Sequence, residues 1–401
     1  MGEPMGNCGT LTVDLGAIVE NWRRLDRISG PAETAAVVKA NAYGLGADRV
    51  GPALAAAGVR SFFVAHLGEA IALRQALEAA RPSATQNRPA IYILNGLAPD
   101  PDAVAACAEH ALWPVLNTAE DVAEIGQLAA RGSARLGFAL QLDTGMNRLG
   151  MEPDAWGAFL KNEIAALTAQ DGLRPRLVMS HMACADEPAH PMNAAQQAAF
   201  LAARGAAAAI TQGQGEGPGG WERLPWSLAA TGATLLGPRY HFDMVRPGIG
   251  LFGGLPFKQA RPAVELDVPI LQVRDVAPGE AVGYGASWIA DGPRRIATIS
   301  AGYADGLHRL LSNRAAGFIA GIRCPIAGRV SMDLICLDVT DAPEAAARPG
   351  GWVEIIGPNQ GIDTLATQAE TIGYEVLTGL GLRYRRIYRE AATGVRSDGG
   401  A

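Results

Sequence analysis

The chain contains three lysines, Lys39, Lys161 and Lys258, and Lys39 is the one that ends a predicted β-strand. At the carboxyl end of a parallel strand, burial and neighbouring cations lower the pKa of a lysine amine and so make it nucleophilic. A lone lysine at a strand end is more often a surface residue that reaches into solvent. The following Asn-Ala-Tyr-Gly-Leu-Gly favours a turn that contacts a phosphate, and therefore favours a reactive Lys39.

Three further side chains with chemical potential stand next to glycine-containing turns or at strand ends. Arg148 lies in Asp-Thr-Gly-Met-Asn-Arg-Leu-Gly, where a guanidinium can bind a carboxylate through two parallel hydrogen bonds. His181 follows a predicted strand, although a lone histidine there is more often a hydrogen-bonded core residue. Tyr284 stands between two glycines that leave its hydroxyl free to project into a cleft, although such a tyrosine is more often part of a structural turn.

These segments, taken together and in order, resemble the signatures of the alanine racemases. The matching motifs are V-V-K-A-N-A-Y-G-L-G, D-T-G-M-N-R-L-G, V-R-P-G-I-G-L-F, G-Y-A-D-G and G-R-V-S-M-D, and the likeness extends from about residue 9 to 390. The resemblance implies that Lys39 forms a Schiff base with pyridoxal 5'-phosphate and that Tyr43 lies near the cofactor phosphate. It also implies that Arg148 contacts both the substrate carboxylate and a catalytic tyrosine.

The same resemblance implies the rest of the cofactor site. His181 belongs to its hydrogen-bond network, Arg246 faces the pyridine nitrogen, and the Thr231 hydroxyl contacts the phosphate. The backbone amides of Gly248 and Ile249 hold that phosphate as well. Because arginine stays protonated in proteins, Arg246 can only donate to the ring nitrogen, which makes the ring a weaker electron sink and favours racemisation over transamination.

A racemase requires two bases on opposite faces of the reacting carbon. The resemblance implies that Tyr284 is the base opposite Lys39, and that Tyr303 and Met332 bind substrate at the entrance. It further implies a head-to-tail homodimer in which each active site is shared between the subunits. A phenol with a reference pKa of about 10 needs a nearby cation, such as Arg148, to act as a base near neutral pH.

The chain departs from the family pattern at three positions. Many relatives have a carbamylated lysine where this chain has Gln141, so we predict that a neutral amide orients the arginine and that no carbamate forms. Ala230 replaces an asparagine near the phosphate, and Leu382 replaces a tyrosine of the cofactor or substrate pocket. None of these changes removes a proton-transfer group, but they leave room for an altered substrate preference.

The elements that position these residues alternate between short apolar runs and longer helical segments. The predicted strands are residues 35–39, 61–65, 90–94, 113–116, 137–143, 177–181, 225–228 and 244–251. The predicted helices are residues 47–57, 67–80, 100–110, 119–131, 152–169 and 193–211. Eight strands separated by helices favour a (β/α)8 TIM barrel over an open parallel sheet.

The pattern changes after residue 253 to strands divided by glycine and proline turns. Four strands are predicted at 264–273, 295–300, 334–339 and 352–356, with one helix at 364–371. We therefore predict an α/β protein with two domains, a barrel at 10–253 carrying the lysine and a mostly β domain at 254–390 carrying the second base. Residues 391–401 read as a flexible tail, and 212–220 as a glycine-rich surface insertion.

Composition narrows the cellular role. A net charge of −6, with no basic cluster interleaved with aromatics, argues against a nucleic-acid partner. No apolar run reaches the roughly 18 residues of a membrane span, and the N-terminus resembles no signal peptide. Five scattered cysteines predict reduced thiols in the cytoplasm and no metal site.

We predict an alanine racemase that supplies D-alanine for peptidoglycan. A racemase of serine or another small amino acid on the same scaffold stays open, because a one-methylene difference changes binding by only about 1–3 kcal/mol. Two more distant alternatives are a pyridoxal-phosphate decarboxylase of the same architecture, which lacks this set of motifs, and a non-catalytic pyridoxal-phosphate-binding protein, which lacks the second domain.

Overall fold

The computed structural model describes residues 6–80, 88–162, 172–211 and 221–390, and the chain divides into two compact units. The barrel unit comprises Trp22–Ala42 and Gly46–Gly250. The β unit comprises the described parts of Met1–Asn21, Tyr43–Leu45 and Leu251–Ala401. The predicted insertion at 212–220 and the predicted tail at 391–401 lie outside the described residues.

The barrel unit is built on a parallel sheet. Its strands, in order, are Ala36–Val37, Ser61–Val64, Ala90–Ile93, Trp113–Leu116, Leu136–Gln141, Leu173–Met179 and Trp226–Ser227. Met244–Val245 closes the sheet, because it pairs in parallel with Glu33–Thr34 on one side and, on the other, the Arg246 amide donates to the Ala229 carbonyl at 2.8 Å. The predicted (β/α)8 barrel is therefore confirmed within the described residues.

Helices cover the outside of this sheet, so its strands are apolar on both faces, as in Ser-Phe-Phe-Val at Ser61–Val64. Among the described residues up to 211, and apart from the short left-handed turn at Lys39–Tyr43, the helices are Leu15–Ser29, Ala47–Ala57, Leu67–Ala80, Pro101–Glu109, Ala119–Arg131, Pro153–Asn162 and Pro191–Thr211. Local capping sets their starts, since Asp100 caps Pro101–Glu109 and Thr118 forms a capping box with Asp121. Three predicted helices, 47–57, 67–80 and 119–131, are confirmed to the residue.

The β unit confirms the predicted mostly β character of the C-terminal part. Its main sheet includes Val264–Val276, Arg294–Ile299, Ala316–Ile319, Ile322–Pro325, Ile335–Asp338, Trp352–Ile356 and Arg385–Arg389. A separate hairpin pairs Ala281–Val282 with Trp288–Ile289, and two helices follow at Ile362–Gln368 and Gly373–Gly379.

The N-terminal strand Thr10–Asp14 also belongs to this sheet, whereas the sequence pattern predicts that residues from 10 onward belong to the barrel domain. It pairs antiparallel with Val264–Val276 and parallel with Arg385–Arg389. In the described residues, no helix has the combination of length and apolar composition that a membrane crossing requires.

Candidate active site

Lys39 stands at the start of an unusual backbone turn. The preceding strand is in register with its neighbour, with Val37 opposite Phe63, and the Val38 amide donates to the Phe63 carbonyl at 2.9 Å. The next four residues, 40–43, all have φ between 52° and 56°, which makes one turn of left-handed helix. Such a conformation costs about 1–2 kcal/mol for each residue other than glycine or asparagine, so this turn stores about 3–6 kcal/mol of strain.

Hydrogen bonds on both sides of the turn hold it in this conformation. The Ala42 amide donates to the Val38 carbonyl, and the Gly46 amide donates to the Asn41 carbonyl, both at 2.9 Å. The Asn41 side chain accepts from the Ala47 amide at 2.8 Å, at the start of the next helix. The peptide that carries Lys39 is therefore fixed by its surroundings, as a strained segment requires.

The predicted basic residues of the barrel unit share one electrostatic environment. Burial, and next the charge of Arg148, lowers the pKa of Lys39, while Glu69 opposes this shift. Burial, followed by the charges of Arg246, Arg148 and Lys39, lowers the pKa of His181 to about 3. The structure thus brings Lys39, Arg148, His181 and Arg246 together, with a neutral His181 and a Lys39 amine that loses its proton more easily than a lysine in water.

Arg246 is 3% exposed and is held by oxygen atoms of the chain. Its Nη1 donates to the carbonyl and to the hydroxyl of Ser227, and its Nη2 donates to the carbonyls of Ser180 at 2.5 Å and Leu228 at 3.5 Å. Burial lowers its pKa to about 9, so the guanidinium remains charged at neutral pH. Its Nε–H has no acceptor among the described residues and can donate to an acceptor of a bound molecule.

Thr231, Gly248 and Ile249 lie at the starts of two short helical turns, Thr231–Leu235 and Ile249–Phe252. The Thr231 hydroxyl accepts from the Gly248 amide at 3.0 Å and from the Gly250 amide at 3.3 Å. Because the amides of Gly248 and Gly250 donate to its oxygen, the Thr231 hydroxyl has its hydrogen left to donate, and such a hydroxyl is a donor of the kind that binds phosphate. Ala230, which precedes this turn, offers no side-chain hydrogen bond to it.

The loop that carries Arg148 is shaped by Asp143. Its carboxylate accepts from the amides of Gly145 at 2.7 Å and Met146 at 2.9 Å. Gly150 brings the loop back onto the strand end, where an added Cβ would lie 2.7 Å from the Asp143 nitrogen. Only glycine fits so close an approach at a φ of 115°.

Gln141 acts on this loop through the backbone. Its buried amide donates from Nε2 to the Leu149 carbonyl at 3.0 Å, one residue beyond Arg148. The Arg148 guanidinium is exposed and makes no hydrogen bond with any described residue. The amide therefore positions the peptide next to Arg148 and makes no contact with the guanidinium itself.

Sequence reasoning missed a buried polar network centred on Gln196, in the helix Pro191–Thr211. Gln196 is fully buried; its Nε2 donates to the His181 carbonyl at 2.9 Å and to the Thr144 hydroxyl at 3.3 Å, and its Oε1 accepts from the Ala183 amide at 2.8 Å. Thr144 in turn lies 2.8 Å from the Ser180 hydroxyl. One signal was available, because Gln196 falls on the helical stripe that includes the buried Phe200 and must find partners there.

Tyr303 and Met332 are brought together in the β unit. The Tyr303 amide donates to the Ser331 carbonyl, and the Ala304 amide donates to the Met332 carbonyl, both at 3.0 Å. Gly302 permits this approach, because an added Cβ would lie 2.3 Å from the Met332 carbonyl oxygen. Both predicted side chains remain exposed.

Tyr284 lies on a separate turn of the β unit and is 71% exposed. The glycines on either side, Gly283 and Gly285, have φ of 75° and 69°, and they set the tyrosine on the outside of a tight 3-10 turn. The Arg329 guanidinium packs against this turn, 3.1 Å from where a Cβ of Gly285 would stand. A cation therefore lies beside the backbone of Tyr284.

Tyr43 groups with the β unit, unlike the lysine four residues before it. Its ring packs against Phe252, with centroids 4.8 Å apart, and against Tyr374 at 6.1 Å. Burial raises the pKa of its hydroxyl, so Tyr43 serves as a neutral hydrogen-bonding group. In the same unit, Leu382 is 60% exposed, so no tyrosine-like contact is made from this position.

Comparisons with known proteins agree with the sequence motifs. Domain models of one protein family match most of the chain, the alanine racemase N-terminal domain at 13–256 and the C-terminal domain at 263–388. The alanine racemase of Dinoroseobacter shibae is 48% identical over 384 residues, covering 94% of this chain and 97% of the relative. A catabolic alanine racemase of Agrobacterium fabrum is 46% identical over 391 residues, covering 96% and 92%.

Solved structures give the same result. The crystal structure of alanine racemase from Bartonella henselae, which holds covalently bound pyridoxal phosphate, has a TM-score of 0.83 at 35% identity. The match covers 96% of this chain and 100% of that structure. The chain therefore belongs to the alanine racemase family.

Proposed function

We propose that this protein is an alanine racemase that uses pyridoxal 5'-phosphate to interconvert L-alanine and D-alanine. The observation that carries the proposal is the convergence of Lys39, Arg148, His181 and Arg246 in one electrostatic environment of the barrel unit. The racemases named above, at 46–48% identity over nearly the whole chain, support the choice of reaction and substrate.

The residues of the barrel unit fit pyridoxal phosphate. The Nε–H of Arg246 suits the pyridine nitrogen, which would accept from it. The Thr231 hydroxyl and the Ile249 amide suit the phosphate, and the Gly248 amide would join them by turning from its bond to the Thr231 oxygen. We propose that Tyr43 adds a hydroxyl to the phosphate site and that Lys39 anchors the cofactor through its amine. When bound, the cofactor withdraws electrons from the substrate and so makes its Cα proton acidic.

In this proposal the side chains of the chain bind the substrate and move the proton. Arg148 binds the substrate carboxylate with a guanidinium that makes no hydrogen bond with any described residue of the chain. The Lys39 amine removes or delivers the Cα proton on one face, since its lowered pKa makes the neutral amine more available. Arg246 remains a donor at neutral pH, because its pKa of about 9 keeps the guanidinium charged.

We propose that the opposite face is served by Tyr284 of the partner subunit in a homodimer, with Tyr303 and Met332 at the substrate entrance. Exposure of these side chains in the single chain is compatible with such a role. The proposal also includes two domains, a barrel at 10–253 that carries the lysine and a mostly β domain at 254–390 that carries the second base. It further includes a cytoplasmic location and the supply of D-alanine to peptidoglycan. Nucleic acid and membrane have no part in it.

The decisive experiment supplies L-alanine, D-alanine and L-serine to the purified protein and follows the products by chiral chromatography. We expect both alanine enantiomers to convert, with serine slower; exclusive conversion of serine would replace alanine as the substrate. Lys39→Ala should lose both activity and the visible absorbance of bound pyridoxal phosphate, whereas the matched control Lys161→Ala should keep both. Retained absorbance in Lys39→Ala would refute the assignment of the lysine.

A second variant tests the opposed base. Tyr284→Phe should lower kcat by about 10²–10⁴-fold, the range for loss of a general base. It should also lose solvent-deuterium exchange at Cα from one alanine enantiomer more than from the other. Undiminished exchange from both enantiomers would exclude the phenol.

A further inference from the structure

Glu69 links two neighbouring loops at the carboxyl ends of barrel strands. Its Oε2 accepts from the amides of Ala65 at 2.7 Å and His66 at 3.3 Å, in the loop that follows its own strand Ser61–Val64. Its Oε1 accepts from the amide of Ala40 at 2.7 Å, in the loop that follows the adjacent strand Ala36–Val37. One carboxylate therefore fastens two consecutive β/α connections to each other.

The first of these interactions is ordinary helix capping. Glu69 is the third residue of the helix Leu67–Ala80, and a carboxylate there accepts the free amides at the helix start and offsets the helix dipole. Capping needs only one of the two oxygens. The second oxygen, Oε1, accepts instead from the amide of Ala40, which belongs to the neighbouring β/α unit and is the first residue of the left-handed turn.

The position of the Ala40 amide affects the backbone geometry at Lys39. Ala40 follows Lys39 directly and begins the four residues with positive φ, so its peptide plane sets the direction in which the lysine leaves the strand. Ala40 is exposed, so without an acceptor its amide would turn to water and the strained turn could relax. A charge-assisted hydrogen bond at 2.7 Å opposes that relaxation.

We propose that Glu69 is a positioning residue of the active site, which holds the left-handed turn and thereby fixes the backbone from which Lys39 extends. The proposal rests on the proposed function of Lys39 as the cofactor lysine. The charge of Glu69 has a separate effect on Lys39, because it favours the protonated amine and so opposes the lowering of the Lys39 pKa by burial and Arg148.

Glu69→Gln tests the proposal in the holoenzyme. Glutamine has the same shape, but its Nε2 only donates, so it cannot accept from both Ala40 and Ala65. The matched control is Glu78→Gln on the same helix. The Glu78 carboxylate pairs with Arg88 at 2.7 Å and takes no part in the contacts of the left-handed turn. Amide hydrogen exchange is followed by mass spectrometry on the peptides 38–46 and 61–69, together with the melting temperature and the affinity for pyridoxal phosphate.

In Glu69→Gln we expect exchange in peptide 38–46 to rise by about ten- to a hundred-fold, the equivalent of one lost hydrogen bond to a charged group. Pyridoxal phosphate affinity should fall in the same range, with kcat reduced more than KM changes. Glu78→Gln should match the wild type in all of these. Faster exchange confined to peptide 61–69, both in this variant and in the shorter Glu69→Asp variant, would mean that Glu69 is a helix cap only. Unchanged exchange in both peptides would equally overturn the proposal.

A variant that fails to fold does not decide the question, so the comparison is completed by Glu69→Asp. This variant keeps the charge but is shorter by one methylene, and it should cap its own helix while losing reach to Ala40. Peptide 38–46 should then exchange faster while peptide 61–69 stays protected; protection of both peptides would overturn the proposal. Failure of the proposed function would look different, because it would appear as retained absorbance in Lys39→Ala and would leave these exchange rates untouched.

Discussion

Replacing Ala40 by glycine should stabilise the protein, which is the reverse of the usual effect of that substitution. Ala40 has a φ of 52°, in the left-handed region that an alanine adopts at a cost of about 1–2 kcal/mol and a glycine adopts freely. Glycine also gives the unfolded chain more freedom, which removes about 0.4–1 kcal/mol of that gain. Because the Ala40 methyl is exposed, no burial is lost. The net expectation is about 0.5–1 kcal/mol of added stability.

The matched control is Ala72→Gly, at an exposed position in the middle of the helix Leu67–Ala80. There the backbone is right-handed, and glycine should destabilise by about 0.5–1 kcal/mol. The two variants make the same chemical change at exposed sites of the same unit. Their free energies of unfolding should therefore differ by about 1–2 kcal/mol, with opposite signs relative to the wild type.

Urea unfolding of the holoenzyme, followed by tryptophan fluorescence, measures this difference, since Trp156, Trp221 and Trp226 are buried in the barrel unit. Unfolding midpoints are compared only if the slopes agree. If Ala40→Gly destabilised as much as Ala72→Gly, the left-handed turn would not be strained in solution. We also expect Ala40→Gly to lower kcat, because a turn with more freedom fixes Lys39 less well.

Two further substitutions and one mass measurement probe the rest of the site. Burial keeps the pKa of His181 near 3, well below the unfolded value of about 6.5, so stability should fall by about 1.4 kcal/mol per pH unit below about pH 6.5; His181→Gln should make that decline shallower in urea melts, and an unchanged slope would contradict a buried neutral histidine. Gln196→Leu should cost about 1–3 kcal/mol of unfolding free energy and raise KM for alanine, since it leaves buried partners unpaired; wild-type stability and KM would count against the network. Intact mass spectrometry under native conditions should find no carbamate on the segment containing Gln141, and a carbamate adduct there would show that another group orients Arg148.

The barrel could be predicted from the sequence because its strands and helices depend on local patterns, whereas the basic residues of the site could be singled out only through the resemblance of whole motifs to a family. Short apolar runs predicted strands such as Ser61–Val64, and longer segments of helical period predicted helices such as Ala119–Arg131. The predicted bounds agree with the observed ones within a residue or two. The strand Thr10–Asp14 has the same local pattern as a barrel strand, but its partners are Val264–Val276 and Arg385–Arg389. Which strands pair across such sequence separations depends on tertiary packing, and local propensity does not determine it.

The left-handed turn could not be predicted for a different reason. Alanine disfavours positive φ, so local preference at Ala40 and Ala42 argues against the observed backbone. Contacts from Glu69 and from the residues around Asn41 hold this conformation against that local preference. Conflict between local preference and the fold is expected where function requires a fixed geometry.

The charges of the site explain why these contacts matter together. The two Nη atoms of Arg246 donate to carbonyl oxygens and to the Ser227 hydroxyl, none of which carries a formal negative charge. Its field therefore persists, and it lowers the pKa of His181 together with Arg148 and Lys39. Glu69 is the carboxylate that opposes this excess of positive charge at Lys39, and it does so from the position where it also holds the turn. A site with this imbalance favours a dianionic phosphate ligand, and it keeps Lys39 deprotonated more readily than an isolated lysine would be. In the proposed function the same residues would therefore serve anion binding and proton transfer, because both depend on the positive charge that the barrel leaves unneutralised.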